Sequence, residues 1–223
     1  MGTLFVVGTP IGNPEDLSPR ALRVLTEASV IAAEDTRVTA RLLARHGLRR
    51  PMVSHRAPVE ARSLPRLLEA LGRGDVALVT DAGTPTLSDP GRRLVAAAWE
   101  AGHRVVPVPG PSAVTAALSV AGFGGAGFCF AGFLPRRQGE LRRFFESLRG
   151  VPRPTVVFES PHRLRRSLQV MAEVLPDRPL ALARELTKRH EQILRGTPAE
   201  LLDAVGEPVR GEVTVVISGV VSD

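Results

Sequence analysis

The chain has no tyrosine, one tryptophan, one cysteine and a single lysine among its 223 residues, and aromatic residues make up only 4% of it. A lone Cys129 excludes an internal disulfide, and its apolar setting suits a structural thiol in a reducing compartment. No apolar run approaches the roughly 20 residues of a membrane span, and the N-terminus enters a strand pattern without a basic signal segment, so a cytoplasmic protein is expected. Scarce aromatics argue against recognition of RNA by base stacking; shape and phosphate contacts are the alternative. The phosphate-cradling G-x-x-x-x-G-K-[ST] and the dinucleotide fingerprint G-x-G-x-x-G are both missing, which excludes a P-loop nucleotidase and an ordinary dinucleotide enzyme. His46, His55, His103 and His190 show no ligand spacing, and no metal is expected.

Arginine is abundant instead: it supplies every cation except Lys188 in a net charge of +6. That surplus suits a polyanionic partner and serves equally well as a solubility device. Lys188 stands out chemically, because arginine stays protonated whereas a buried lysine can be tuned to act as a base.

Hydrophobic periodicity alternates short β-branched runs with helical patterns. Strands are predicted at Thr3 to Val7, Val30 to Ala33, Val76 to Thr80 and Arg104 to Val108. Helices are predicted from Ser18-Pro19 to about Ala28, from Thr36 to His46, from Val59 to Leu71, from Pro90 to about Ala101, and from Ser112 through Val120. Such alternation implies an α/β fold with a mainly parallel sheet covered on both faces. The segment 122–127, four glycines in six residues, marks a domain boundary, giving 1–121 and 122–223. Beyond it, strands are predicted at Phe128 to Phe133, Thr155 to Glu159, Leu180 to Arg184, Gln192 to Arg195 and Val213 to Ser218. Helices are predicted at Glu140 to Leu148 and Pro161 to Leu175, with Ser160 as cap of the latter. Thr197-Pro198-Ala199-Glu200 reads as a capping box.

Three loops rich in glycine and proline follow strands of the first domain: Gly8 to Pro14, Asp81 to Gly91 and Pro109 to Ser112. In an open parallel sheet such loops gather at one edge, where ligands bind. The second is the richest, with two glycines, two prolines and two aspartates in eleven positions, and Asp89-Pro90 reads as the start of the helix that follows.

Seven motifs occur in order: Val6-Val7-Gly8-Thr9-Pro10-Ile11-Gly12-Asn13, Ala33-Glu34-Asp35-Thr36-Arg37, Asp81-Ala82-Gly83-Thr84-Pro85 with Ser88-Asp89-Pro90-Gly91, Val108-Pro109-Gly110-Pro111-Ser112, Gly132-Phe133-Leu134-Pro135, Phe158-Glu159-Ser160-Pro161-His162-Arg163-Leu164 and Ala183-Arg184-Glu185-Leu186-Thr187-Lys188. Together, over nearly the whole chain, they resemble the small-subunit rRNA methyltransferases of the tetrapyrrole-methylase-like superfamily. The resemblance implies two α/β domains, the second with a mixed sheet, and S-adenosylmethionine in the cleft between them. It further implies a homodimer and 2′-O-methylation of a cytidine ribose in the decoding region of 16S rRNA. Positions matching the superfamily's cofactor contacts are Ile11, Gly83, Thr84, Pro85, Leu87, Ser112, Ala113, Glu159 and Glu185. A tetrapyrrole methylase would share that cofactor site, and a non-catalytic RNA-binding protein of the small subunit would share the basic surface.

Methyl transfer to a hydroxyl asks for in-line positioning and a proton acceptor. Lys188, as base or orienting group, and Asp35 and Glu34, after a buried strand, are the candidates. Asp35 or Thr36 can equally be a plain helix cap. Arg37, Arg136, Arg137, Arg163, Arg165 and Arg166 are candidate RNA contacts, competing with a solvated helix face.

Overall fold

The computed structural model describes residues 2–123 and 127–220. The chain forms two compact units, Met1–Ser112 and Ala113–Asp223. Of the glycine-rich segment read as a boundary, Gly124, Gly125 and Ala126 lie outside the described residues.

In the first unit, β1 (Thr3–Val7), α1 (Pro19–Glu27), β2 (Val30–Ala33), α2 (Thr36–Arg45), β3 (Met52–Ser54), α3 (Glu60–Arg73), β4 (Val76–Val79), α4 (Arg92–Glu100) and β5 (Arg104–Val108) alternate along the chain. The strands are all parallel in the order β3-β2-β4-β1-β5. Alternate side chains explain the two covered faces: Val7, Ile31, Ala33, Ala77 and Val79 pack against α1 and α2, while Leu4, Ala32, Val76 and Leu78 pack against α3 and α4. Every residue of β4 is buried for this reason. Each fully buried leucine or valine contributes about 1.5–3 kcal/mol, so this central strand anchors the unit.

Helix α1 begins as expected: the Ser18 hydroxyl accepts the Ala21 amide at 3.1 Å and Pro19 occupies the first turn. Helix α4 does not. It begins at Arg92, after Gly91 in the left-handed region at φ 116°, with no side-chain cap, so Asp89-Pro90 belongs to the loop. A methyl group on Gly91 would stand 2.6 Å from Leu78 Cδ2; the glycine lets the loop descend onto the core. Strand β3 has no counterpart in the periodicity. Three residues at a sheet edge, with only Val53 buried, leave almost no alternation to read.

The second unit contains α5 (Ala113–Ala121), β6 (Cys129–Phe133), α6 (Gln138–Ser147), β7 (Thr155–Glu159), α7 (Pro161–Val174), β8 (Leu180–Arg184), β9 (Gln192–Gly196), α8 (Pro198–Ala204) and β10 (Val213–Ile217). Its sheet, ordered β6-β7-β10-β8-β9, is mixed: β6 and β7 are parallel, and β10 runs antiparallel to both β7 and β8. Val157, Leu182, Val213, Val215 and Ile217 face α6, α7 and α8, around Phe145 and Met171. Val156, Ala181, Ala183 and Val216 face α5. The capping box forms at Thr197 and Glu200. Cys129 is exposed at the start of edge strand β6, which corrects its reading as a structural thiol in an apolar setting. Ser160 caps α7 without a side-chain bond, and its amide donates to the Glu159 carboxylate at 2.6 Å.

Candidate active site

Because all five strands of the first sheet point the same way, their carboxyl ends bring together the loops after β1, β4 and β5 and the Glu34-Asp35 pair after β2. The loops are laced to each other through main chain. Thr9 and Gly83 form an antiparallel bridge, the Thr9 amide donating to the Gly83 carbonyl at 2.9 Å and the Gly83 amide returning to the Thr9 carbonyl at 3.1 Å. The Thr9 hydroxyl, buried, donates to the Thr80 carbonyl at 3.1 Å. The Thr84 hydroxyl donates to the Pro111 carbonyl at 3.3 Å, which ties in the third loop. Gly8 and Gly110 lie in backbone contact, so that a methyl on Gly8 would stand 2.8 Å from the Gly110 Cα.

Of the residues matched to cofactor contacts, Ile11, Gly83, Thr84, Pro85, Leu87 and Ser112 lie on this laced rim. Ile11 is buried, its Cγ2 3.4 Å from where a Gly83 methyl would stand. Leu87 is 42% exposed between Thr86 and Ser88, both at positive φ (74° and 66°). Among the described residues, the four non-glycine residues with positive φ fall in two segments only, this loop and the turn carrying Glu185 (52°) and Thr187 (65°). Each such residue costs on the order of 1–3 kcal/mol, and strain of this kind gathers at functional sites.

A carboxylate cluster joins the ends of β2 and β4. The Asp81 amide donates to Glu34 at 3.2 Å, and the Asp35 amide donates to Asp81 at 3.0 Å. Asp35 also accepts the Arg37 amide at 2.8 Å and two guanidinium nitrogens at 3.0 and 2.6 Å. These bonds from Arg37 hold the Asp35 carboxyl far below the usual carboxylate range and make it the cap of α2. Glu34 behaves oppositely: burial pushes its pKa up, the Asp81 amide that it accepts opposes this, and the charges of Asp81 and Asp35 add to the rise. Two adjacent carboxylates are thus driven apart in acidity, the pattern that separates a proton acceptor from a structural anion.

In the second unit, Ala113 opens α5, and Glu159 and Glu185 are engaged internally. The Glu159 side chain is wholly buried, accepting the Ser160 amide and the Ser167 hydroxyl at 2.5 Å and pairing with Arg163. Arg163 also donates to the Leu134 carbonyl at 3.2 Å. Lys188 lies 2.9 Å from both Glu185 and Glu212. Partial burial opposes its charge, yet the two carboxylates outweigh that, so its pKa rises and it stays an ammonium. Two of its three N–H donors are taken by these carboxylates and one is left. Arg165 donates to the carbonyls of Leu202 and Val205, closing the end of α8, while Arg166 bonds Gln138 and Arg137 meets Glu140 at 3.5 Å.

The chain matches the family model described as Tetrapyrrole (Corrin/Porphyrin) Methylases over residues 3–202. The chain belongs to the tetrapyrrole methylase family. Within that family it is similar to proteins named ribosomal RNA small subunit methyltransferase I. The Neisseria meningitidis serogroup A protein is 49% identical over 97% of this chain and 76% of its own length, and that of Thermotoga maritima is 45% identical over 98% and 99%. Among solved structures, a uroporphyrin-III-C-methyltransferase from Thermus thermophilus is 25% identical with a TM-score of 0.63, covering 98% of this chain and 94% of that one. A diphthine synthase, 18% identical over 98% and 90%, superposes with a TM-score of 0.72 and shares the tetrapyrrole methylase fold. Sequence reasoning missed Asp81 as the link between Glu34 and Asp35; its place directly after β4 was the available signal.

Proposed function

We propose that this methylase transfers a methyl group from S-adenosylmethionine to the 2′-hydroxyl of a cytidine ribose in the decoding region of 16S rRNA. The observation that carries the reading is the 45–49% identity, over nearly the whole chain, to relatives named for small-subunit rRNA methylation. S-adenosylmethionine supplies an electrophilic methyl on a sulfonium. The rim suits such a molecule: Gly83 puts no side chain in the way, and the uncovered Leu87 offers apolar surface.

Glu34 is assigned as the proton acceptor, since its raised pKa brings a carboxylate toward the range in which a general base works best. As the ribose oxygen bonds to the methyl carbon, its proton passes to the Glu34 carboxylate and the carbon–sulfur bond breaks with its electron pair on sulfur. Asp35 holds Arg37 and the start of α2 in place, and Lys188, an ammonium paired with Glu185 and Glu212, keeps one N–H with which to orient the substrate. Glu185 acts by holding Lys188. The protein acts in the cytoplasm as a homodimer in this reading, which light scattering at working concentration tests.

Incubation with methyl-labelled S-adenosylmethionine and, separately, small ribosomal subunits, naked rRNA or a precorrin-type tetrapyrrole tests the acceptor. Label is expected in RNA, at a ribose that resists alkaline cleavage. Label on the tetrapyrrole alone, or on no RNA, overturns the assignment.

A further inference from the structure

Helix α2 carries Arg37, Arg41 and Arg45 at four-residue spacing, which stacks them along one helix face. Arg37 is held by Asp35. Arg41 and Arg45 differ: both are exposed, and among the described residues neither guanidinium has a hydrogen bond or salt bridge to a protein group. They border a cavity of about 200 Å³ beside the carboxyl ends of β1 and β4. Pro10, Val38 and Leu42 give that cavity an apolar side, and Asp81 and Thr80 give it a polar one.

We propose that this cavity seats the RNA nucleotide next to the acceptor, with Arg41 and Arg45 pairing its flanking phosphates. The proposal rests on the rRNA reading above. Its chemistry matches a nucleotide part by part. The apolar wall accepts the face of a base, Asp81 accepts an amino or hydroxyl proton, and the two planar guanidiniums are suited to bidentate phosphate contact. The volume is of the size of one base. Position also fits, because Asp81 lines the cavity and its own amide donates to Glu34. A nucleotide held here therefore stands one hydrogen-bonded residue away from the assigned base. Arg163 and Arg165 of the second unit, by contrast, already donate to main-chain carbonyls.

The test is the double variant Arg41→Ala/Arg45→Ala in the full chain, compared with wild type and with Arg41→Lys/Arg45→Lys. Both altered positions are exposed, so melting temperature and S-adenosylmethionine affinity should stay at wild-type values. Binding of a 16S rRNA transcript without S-adenosylmethionine, measured over a salt series, should lose steepness by about 1.5 in the log–log slope, at roughly 0.7–0.9 per phosphate contact. KM for the ribosomal particle should rise about tenfold or more, and the lysine pair should restore the slope while recovering only part of KM. An unchanged slope and KM in the alanine pair, with a wild-type protein that methylates RNA, overturns the cavity proposal alone. A wild-type protein that binds S-adenosylmethionine but neither binds nor methylates RNA overturns the function reading and this proposal with it.

Discussion

In the first unit, Arg41 and Arg45 stand at a cavity with no protein group among the described residues bonded to them, whereas in the second, Arg163, Arg165 and Arg178 each donate to main-chain carbonyls. Arg178 alone reaches the carbonyls of Leu148, Arg149 and Ser218. The sheets differ in the same sense. An all-parallel sheet sends every strand's carboxyl end to one edge and gathers chemistry there, while the mixed sheet divides its strand ends between two edges. Arg41 and Arg45 are thus open to a ligand, whereas Arg163, Arg165 and Arg178, like Arg50 of the first unit, serve as scaffold. Local supply of carbonyls and carboxylates makes the difference.

Carboxylates allow the sharpest test of this contrast. Glu34→Gln should lower kcat by about 10²- to 10⁴-fold with little change in unfolding free energy. A base acts only when ionised, so wild-type turnover should rise with pH through the raised Glu34 pKa, and the variant should lose that limb. Glu159→Ala should do the reverse. Leaving Arg163 without its buried partner should cost about 3–5 kcal/mol in urea unfolding. If it instead abolishes S-adenosylmethionine binding at unchanged stability, Glu159 is a ligand contact and the contrast between the units breaks.

Glycines give a smaller effect. Gly8→Ala should force the Gly8 and Gly110 backbones apart, at about 1–3 kcal/mol in stability, with weaker S-adenosylmethionine binding by calorimetry. Gly139→Ala in α6, where a methyl meets nothing, should raise stability by up to about 1 kcal/mol.

Smallest is a pH effect below the first unit's rim. His55 is fully buried, 2.8 Å from the Ser63 hydroxyl and 3.4 Å from Glu60, whose carboxylate also accepts the Gly91 amide. Burial lowers its pKa despite Glu60. Native His55 therefore resists a proton that the unfolded chain takes up near pH 6.5, so stability is complete above that value and declines as pH falls toward the lowered native pKa. Chemical denaturation between pH 7 and 5 should show this decline, flattened in His55→Asn.

Much of the architecture was legible because it is local. The strands Thr3–Val7, Thr155–Glu159 and Leu180–Arg184 follow from short apolar runs, and the caps at Ser18 and Thr197 follow from side chains three residues from the amides they accept. Strand β3 was illegible at three residues, and the start of α4 was misread because Gly91 is governed by Leu78, a contact thirteen positions away. The exposed Cys129 has the same origin: apolar neighbours in sequence do not reveal that a strand lies at a sheet edge.

By itself the sequence determined the helix and strand pattern, the order of the motifs and the membership of the family, since each depends on residues near one another or on identities read in order. Only the tertiary structure decided which arginines are bonded and which border a cavity, that Glu34 and Asp35 diverge in acidity, and that Lys188 stays charged. Those properties depend on partners as far apart as Glu34 and Asp81 or Lys188 and Glu212, and on the water that packing removes around them.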